Sequence, residues 1–169
     1  KTDCSMHHIA EVWVFGITVV NVPQYRKQAK KGPPPLSLSL PGYTNVRVFI
    51  HRIRGVKIKN NVFIGHNVHI DNTCPNKVYI GNNTQLSVNV TVIAHFREVS
   101  ANEKYSVYID DDVFIGVGVI ILPGVKIGRG SVISSGSVVS SSIPEKSFAI
   151  GNPAKRKGKV NNPLLISTS

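Results

Sequence analysis

Residues 107–139 read VYIDDD VFIGVG VIILPG VKIGRG SVISSG SVV, and the six-residue period of this stretch decides the fold. The third residue of each unit is a large aliphatic one, and the period continues toward the N-terminus with two interruptions. Twelve units result, with these residues at Ile58, Ile64, Ile70, Ile80, Leu86, Val92, Ile109, Ile115, Ile121, Ile127, Ile133 and Val139. The first residue of each unit is Val, except for the small residues Thr84, Ser131 and Ser137. Residues two apart on a strand share a face, so both positions are expected to line an interior.

The sixth residue of most units is a type that tolerates a positive φ angle. These corner residues are Asn61, Asn67, Asn83, Asn89, Asp112, Gly118, Gly124, Gly130 and Gly136. Each unit is therefore predicted to be a short strand followed by a sharp corner, and a short fixed period indicates a solenoid. Three units make one triangular coil, and coils stack about 4.8 Å apart. The sequence thus predicts an all-β protein, a parallel β-helix of about four coils.

The period breaks twice, with four extra residues between Ile70 and Ile80 and eleven between Val92 and Ile109. The second break predicts a loop at residues 94–106 that protrudes from the prism. At the mouth of this loop, His95 takes the corner position that Asn or Gly takes in most other units. Because functional residues concentrate on loops that leave a rigid scaffold, His95 is the leading candidate for catalysis.

The chain divides into three regions around this repeat. Residues 1–45 are expected to form an N-terminal cap or extension with a Pro-rich connector at 32–35. Residues 46–143 are expected to form the β-helix with its loop 94–106, and residues 144–169 a basic C-terminal tail. A length of 169 residues suits one domain with a modest core.

Charge and composition narrow the function classes. The net charge of +11 favours an anionic ligand, but no recognition helix or aromatic-plus-basic motif indicates nucleic acid. The apolar stretch 12–22 is too short to span a bilayer and is interrupted by Gly16 and Asn21. Cys4 and Cys74 lie far apart and do not indicate a disulfide framework, which favours a cytoplasmic location.

The C-terminal half carries a more specific signal than the period alone. Residues 113–139, the pair IP at 143–144 and the run IGNPAK at 150–155 resemble the hexapeptide-repeat O-acetyltransferases. These are left-handed parallel β-helix enzymes and include galactoside, maltose and capsular-sugar acetyltransferases. The resemblance covers residues 56–157. It alone implies the left hand of the coil, since ordinary crossovers between parallel strands are right-handed.

The resemblance implies a homotrimer with acetyl-CoA as co-substrate between neighbouring prisms. His95, in the run VIAHF, matches the catalytic His of the family. By position, the residues implied to line the acetyl-CoA channel are Phe114, Gly116, Val117, Ser135 and Ser140, with Lys155 at a phosphate of CoA. The sequence departs from the family where Phe114 replaces a common Trp and where residues 140–142 are SSS instead of Thr-Lys-Asp. It also lacks an acidic residue directly after His95.

The function expected from these parts is acetyl transfer to a hydroxyl of a sugar or polysaccharide, with an anionic acceptor suggested by the charge. An alcohol is a poor nucleophile at neutral pH, so His95 is expected to remove its proton as general base. A backbone N–H at Gly116 or Val117 is the candidate donor to the developing oxyanion. No metal site is predicted.

Several alternatives stay open at this stage. An N-acetyltransferase for a nucleotide-linked amino sugar would depend less on His95, because an amine has a free lone pair. A non-catalytic β-helix binding module would not bind acetyl-CoA. A zinc site of the γ-carbonic-anhydrase type is disfavoured because His66 and His69 are three residues apart, not five. Cys74 is not needed as a nucleophile, because direct transfer requires no acyl-enzyme.

Overall fold

The computed structural model describes residues 12–14, 17–19, 44–95 and 104–160. The expectations for most of residues 1–45, for the middle of the 94–106 loop and for the end of the tail lie outside these ranges. Strands β1 (Val12–Val14) and β2 (Ile17–Val19) pair antiparallel. Within the described ranges, no helix has the length and apolar character needed to cross a membrane.

The repeat region consists of two- and three-residue strands joined by corners. They are β3 (Lys57–Ile58), β4 (Phe63–Ile64), β5 (His69–Ile70), β6 (Val78–Ile80), β7 (Gln85–Leu86), β8 (Thr91–Val92), β9 (Val107–Ile109), β10 (Phe114–Ile115), β11 (Ile120–Ile121), β12 (Val125–Ile127), β13 (Val132–Ile133) and β14 (Val138–Val139). A 3-10 turn at Pro75–Lys77 occupies the first insertion.

Every third strand stacks in parallel on the strand one coil away, which builds a triangular prism. The first face contains β4, β7, β10 and β13, the second β5, β8, β11 and β14, and the third β3, β6, β9 and β12. We call these the first, second and third faces. In the register, Ile64 pairs with Leu86, and Ile115 pairs with both Leu86 and Ile133. The large aliphatic residues therefore stack in columns and are buried, which confirms the predicted core and the four coils.

The corners behave as the residue types predicted. All nine predicted corner residues have positive φ angles, between 53° for Asn61 and 77° for Gly124. Thr73 and His95, at the mouths of the two insertions, do not. One corner also carries a side-chain ladder, in which Asn61 donates to Asn83 at 3.0 Å and Asn83 donates to Asp112 at 2.9 Å.

Helix α1 (Thr44–Ile53) covers the N-terminal end of the prism. Its buried residues are Arg47, Val48 and His51, whereas Val46, Phe49 and Ile53 are exposed. The coils begin at Lys57 and not near residue 46 as the sequence predicted. The helix packs against β3 and β4.

Three arginines donate hydrogen bonds to the backbone carbonyls at the open edge of the first coil. Within the prism, the N–H after a core residue donates to the carbonyl of the core residue one coil on, as Gly65 does to Leu86 at 2.8 Å. The first coil has no preceding coil to donate to its own core carbonyls. The arginine donors are Arg52 Nε to Ile58 O at 3.1 Å, Arg47 Nε to Ile64 O at 2.8 Å and Arg54 Nη2 to Ile70 O at 2.9 Å. An exposed sheet edge is thereby closed.

The region predicted as a basic tail is partly ordered as strands. Strand β15 (Ser147–Ile150) stacks in parallel on β13 and extends the first face by one level. Strand β16 (Lys155–Lys159) returns antiparallel to β15 and lies fully exposed. Its four cationic side chains therefore line an outer edge of the prism.

Candidate active site

His95 lies just after β8, where the second insertion leaves the corner between the second and third faces. Its side chain is 16% exposed, so the imidazole faces solvent only in part. Nδ1 of His95 lies 2.5 Å from Oδ2 of Asp71. Asp71 follows β5 at the same corner, one coil closer to α1, and its side chain is fully buried.

The carboxylate of Asp71 accepts hydrogen bonds on both oxygens. Oδ1 accepts the backbone N–H of Thr73 at 2.8 Å and of Cys74 at 3.0 Å. Oδ2 accepts the backbone N–H of Ala94 at 2.6 Å in addition to the contact with His95. Because one carboxylate binds both insertions, it holds their mouths in a single arrangement.

These donors keep Asp71 ionised. Burial raises the pKa of Asp71, but the hydrogen bond from His95 and those from the N–H groups of Cys74 and Ala94 outweigh it and lower the pKa from 3.8 to about 2. An ionised carboxylate can only accept hydrogen bonds. The proton between the two side chains is therefore on Nδ1 of His95, so that the lone pair lies on Nε2 whenever the imidazole is neutral.

His69 adds a second imidazole next to this pair. It lies on the outer side of β5 and is half-buried. Burial lowers its pKa, the charge of Arg54 and that of His95 in its protonated form lower it further, and Asp71 opposes them. His66, which the sequence grouped with His69, is instead an exposed residue on the corner between the first and second faces.

The acetyl-CoA candidates lie mainly along that other corner. Phe114 is half-buried on the first face, and Gly116, Val117 and Ser135 follow the strands there in the third and fourth coils. Lys155 begins β16 beside Ile150, at the same edge of the first face. Ser140 differs, because it follows β14 at the corner that carries His95.

The two N–H groups expected to serve the oxyanion already have acceptors. The N–H of Gly116 donates to the carbonyl of Ile133 at 2.9 Å, and that of Val117 donates to Oγ of Ser135 at 3.1 Å. The N–H of Gly116 is part of the hydrogen bonding that stacks consecutive coils, and the N–H of Val117 is bound by the Ser135 hydroxyl of the next coil. The prediction that either N–H is an available oxyanion donor is therefore wrong for this conformation.

One face of the prism separates the two groups of candidates. The cofactor candidates other than Ser140 lie on the first face or at the corner between the first and second faces. His95 lies at the corner between the second and third faces. A strand of the second face and its flanking residues, which rise about 3.3 Å per residue, separate these two corners in each coil. Within one subunit, the structure therefore does not bring Phe114, Gly116, Val117, Ser135 and Lys155 together with His95.

Cys74 is buried at the first insertion and is disulfide-bonded. This cysteine therefore has no thiol to act as a nucleophile. Among residues 44–95 and 104–160, no cluster of three His, Cys, Asp or Glu side chains could hold a metal ion.

Asp71 was not predicted from the sequence, because the family pattern places an acidic residue directly after the catalytic His and not 24 residues before it. The available signal was the position of the two insertions. Both leave the prism after a strand of the same face, one coil apart, so residues that follow Ile70 must stack near those that follow Val92. The only acid in that first segment, between Ile70 and Ile80, is Asp71.

Comparison with known proteins supports this architecture. A family model described as bacterial transferase hexapeptide (six repeats) matches residues 106–141. A maltose O-acetyltransferase from Clostridium difficile 630 has 27% identity and a TM-score of 0.54, over 82% of this chain and 86% of that chain. A search among curated proteins finds no match.

Two further solved structures share the fold at lower identity. A galactoside acetyltransferase in complex with coenzyme A has 24% identity and a TM-score of 0.53, over 73% of this chain and 74% of that chain. The hexapeptide-repeat acetyltransferase VCA0836 from Vibrio cholerae has 20% identity and a TM-score of 0.50, over 75% of this chain and 85% of that chain. The resemblance to hexapeptide-repeat acetyltransferases is thus confirmed, and the prism is a left-handed parallel β-helix.

Proposed function

We propose that this hexapeptide-repeat protein is an acetyl-CoA-dependent O-acetyltransferase that acts on a hydroxyl of a sugar or polysaccharide. The observation that carries the proposal is the His95–Asp71 pair at the mouth of the loop. A partly exposed imidazole held by a buried carboxylate is suited to general base catalysis. The maltose acetyltransferase similarity favours a hydroxyl acceptor.

In the proposed reaction, Nε2 of His95 removes the proton of the acceptor hydroxyl as the hydroxyl oxygen attacks the carbonyl carbon of the acetyl thioester. Acetyl-CoA supplies an acetyl group activated as a thioester. The imidazolium that forms stays paired with the carboxylate of Asp71 through Nδ1–H, which stabilises its charge. His95 then returns the proton to the departing thiolate, so the pair ends in its starting state.

The corner between the first and second faces is the proposed path of acetyl-CoA. Corner residues Gly118 and Gly136 have open space where a side chain would begin, so a ligand can approach the backbone closely. Phe114 and the 48% exposed Val117 provide apolar surface for the arm of CoA. Lys155 is exposed at the end of this path and suits a phosphate.

A homotrimer would complete the site. His95 and the cofactor path lie on different corners of one prism, so a neighbouring prism must bring a second corner to the first. Val88, Val117 and Ile120 are at least 36% exposed along the second face and its leading corner, which supports a subunit contact there. Sedimentation should then give a trimer for the wild type and a smaller species for Ile120→Glu.

The acceptor is proposed to be anionic, because the chain has a net charge of +11 and four of its cations are exposed together on β16. A cytoplasmic location is proposed from the need for acetyl-CoA. The disulfide at Cys74 runs against that location, since disulfides are rare in the cytosol. Cell fractionation with thiol labelling of Cys74 tests the location. A labelled Cys74 in the cytosolic fraction supports the proposal, and an unlabelled Cys74 in another compartment contradicts it.

Calorimetry of acetyl-CoA binding combined with a transfer assay tests the function. The wild type and His95→Gln should bind acetyl-CoA alike, and the variant should lose transfer by roughly 10²–10⁴-fold. His66→Gln is the control, because His66 is exposed in the first coil, away from His95 and from the cofactor candidates in the third and fourth coils. The assay offers a panel of neutral sugars, acidic sugars and amino sugars.

The outcomes separate the alternatives. Absence of binding at millimolar acetyl-CoA would exclude any acetyltransferase and leave a binding module. Transfer to amino sugars alone, with little loss in His95→Gln, would replace the O-acetyltransferase by an N-acetyltransferase. Equal losses in the His95 and His66 variants would remove His95 from the chemistry.

A further inference from the structure

The guanidinium of Arg54 lies directly behind the His95–Asp71 pair. Nη2 of Arg54 donates to the carbonyls of Ile70 at 2.9 Å and of Asp71 at 3.0 Å, and also to Oδ1 of Asn72. Nη1 lies 3.0 Å from Nδ1 of His51. Three consecutive residues centred on Asp71 are therefore hydrogen-bonded to the side chain of Arg54.

The other arginines of the N-terminal cap give a comparison within the same molecule. Arg52 binds the carbonyls of Ile58 at 3.1 Å and Lys59 at 2.5 Å on the third face. Arg47 binds the carbonyl of Ile64 on the first face. All three arginines close the open edge of the first coil, but only Arg54 holds the residue that contacts His95.

We propose that Arg54 is a positioning residue that sets the carboxylate of Asp71 against His95. This inference rests on the proposed function and adds to it the source of the rigidity of the pair. The contacts form a continuous chain. Arg54 holds the backbone of Ile70, Asp71 and Asn72, the N–H groups of Thr73 and Cys74 orient Oδ1, and Oδ2 meets Ala94 and His95.

The chemistry of the guanidinium explains why arginine occupies this position. Its donors lie in a rigid planar fork, so several acceptors can be held at set angles by one group. Lysine carries the same charge as a point and cannot reproduce the fork. A loss of orientation should therefore follow Arg54→Lys even though the charge stays.

His51 supports Arg54 from the other side. The imidazole is fully buried, and its pKa is lowered to about 4 by burial and by the charges of Arg54 and His69. At neutral pH it is uncharged, so Nδ1 can accept from Nη1 of Arg54. The groups that face the guanidinium are thus a neutral imidazole, three oxygen acceptors and the charge of Asp71.

The test compares Arg54→Lys with Arg52→Lys in the full-length protein. The first readout is independent of catalysis and is the low-field Nδ1–H proton signal of His95 in NMR, assigned by its loss in His95→Gln. Arg54→Lys should shift or broaden this signal, and Arg52→Lys should leave it in place. The second readout is kcat, which should fall roughly 10- to 100-fold in Arg54→Lys with little change in KM for acetyl-CoA.

A double-variant cycle distinguishes positioning from edge capping. If Arg54 acts through Asp71, Arg54→Lys should lower kcat no further in an Asp71→Asn background. Asn72→Ala is a milder second variant, because Asn72 is exposed and its loss removes one contact of Arg54 without opening the edge. It should shift the His95 signal in the same direction by a smaller amount, and it serves if Arg54→Lys does not fold.

An unchanged His95 signal in both Arg54→Lys and Asn72→Ala would overturn the proposal. Equal effects of Arg54→Lys and Arg52→Lys would also overturn it, since both would then reflect edge capping alone. If the wild type transfers no acetyl group, the proposed function fails, while the NMR signal still decides whether Arg54 orients the pair.

Discussion

Nδ1 of His95 lies 2.5 Å from Oδ2 of Asp71, although 24 residues separate them in the chain. The contact exists because β5 and β8 stack in register, with Ile70 beside Val92. Each residue sits just beyond its strand, at the mouth of its own insertion. The two interruptions of the repeat are therefore one structural feature, closed by a single carboxylate.

Asp71→Asn should impair both catalysis and stability. The amide of asparagine has only one oxygen that can accept, and its NH2 group donates, so the substitution leaves buried N–H groups unpaired and favours the wrong tautomer of His95. We expect kcat to fall roughly 10²–10⁴-fold and the free energy of unfolding to fall by about 1–3 kcal/mol. Steady-state kinetics and urea denaturation measure the two effects.

Asp112→Asn is the matched control for that variant. Asp112 is a corner residue with a φ of 58°, and asparagine occupies the same position at Asn83 in the coil before it. The substitution should change the free energy of unfolding by less than about 0.5 kcal/mol. Wild-type kcat in Asp71→Asn would show that the pair has no part in catalysis.

Mild acid should destabilise the fold through His51. Its pKa is lowered from 6.5 to about 4, because burial and the charges of Arg54 and His69 oppose protonation. As the pH falls from 6.5 to 4, the unfolded chain binds a proton that the folded chain refuses, so stability decreases. His69, whose pKa is also lowered, acts in the same direction.

The size of the His51 effect is on the order of 3 kcal/mol between these two pH values. Urea denaturation at pH 7 and pH 4.5 should show it in the wild type. His51→Asn offers an amide oxygen to Arg54 but cannot titrate, so its stability should depend less on pH. Identical pH profiles for the two proteins would contradict the assignment. Asp71, with a pKa of about 2, loses its contribution only below about pH 4.

Gly116→Ala should disrupt coil stacking on the proposed cofactor path. A Cβ at this position would lie 2.5 Å from the N of Ser135 and 2.8 Å from the O of Ile133, and both are backbone atoms. We expect a loss of roughly 1–3 kcal/mol in stability from this overpacking. Gly158→Ala meets nothing within 4 Å and should remain close to wild type in a thermal melt.

Lys155→Met should weaken acetyl-CoA binding if Lys155 contacts a phosphate. A lost charge-assisted hydrogen bond corresponds to roughly a tenfold rise in Kd. Lys159→Met, at the far end of the same exposed strand, is the control for general charge loss. Calorimetry at two salt concentrations should show a weaker salt dependence for the Lys155 variant. Equal Kd values for the two variants would remove Lys155 from the site.

The short-range features of the fold were readable from the residues. Asn and Gly at the sixth position predicted the corners, because few other residues tolerate a positive φ. Helix α1 is not predicted by the repeat, because residues 46–53 adjoin the first unit but do not share its period. The same holds for the site. His95 was predicted because it occupies a corner position where Asn or Gly is usual, whereas Asp71 does not depart from the repeat pattern.

By itself, the sequence determined the repeat, the positions of core and corner residues and the anomaly at His95, because each depends on contacts within a few residues. Only the tertiary structure decided which residue orients His95 and which arginine stands behind it. Those contacts join Arg54, Asp71 and His95 across two coils and the cap. They depend on side chains from the helix and from two coils meeting in space, and the residue types in any single stretch of the chain do not specify such contacts.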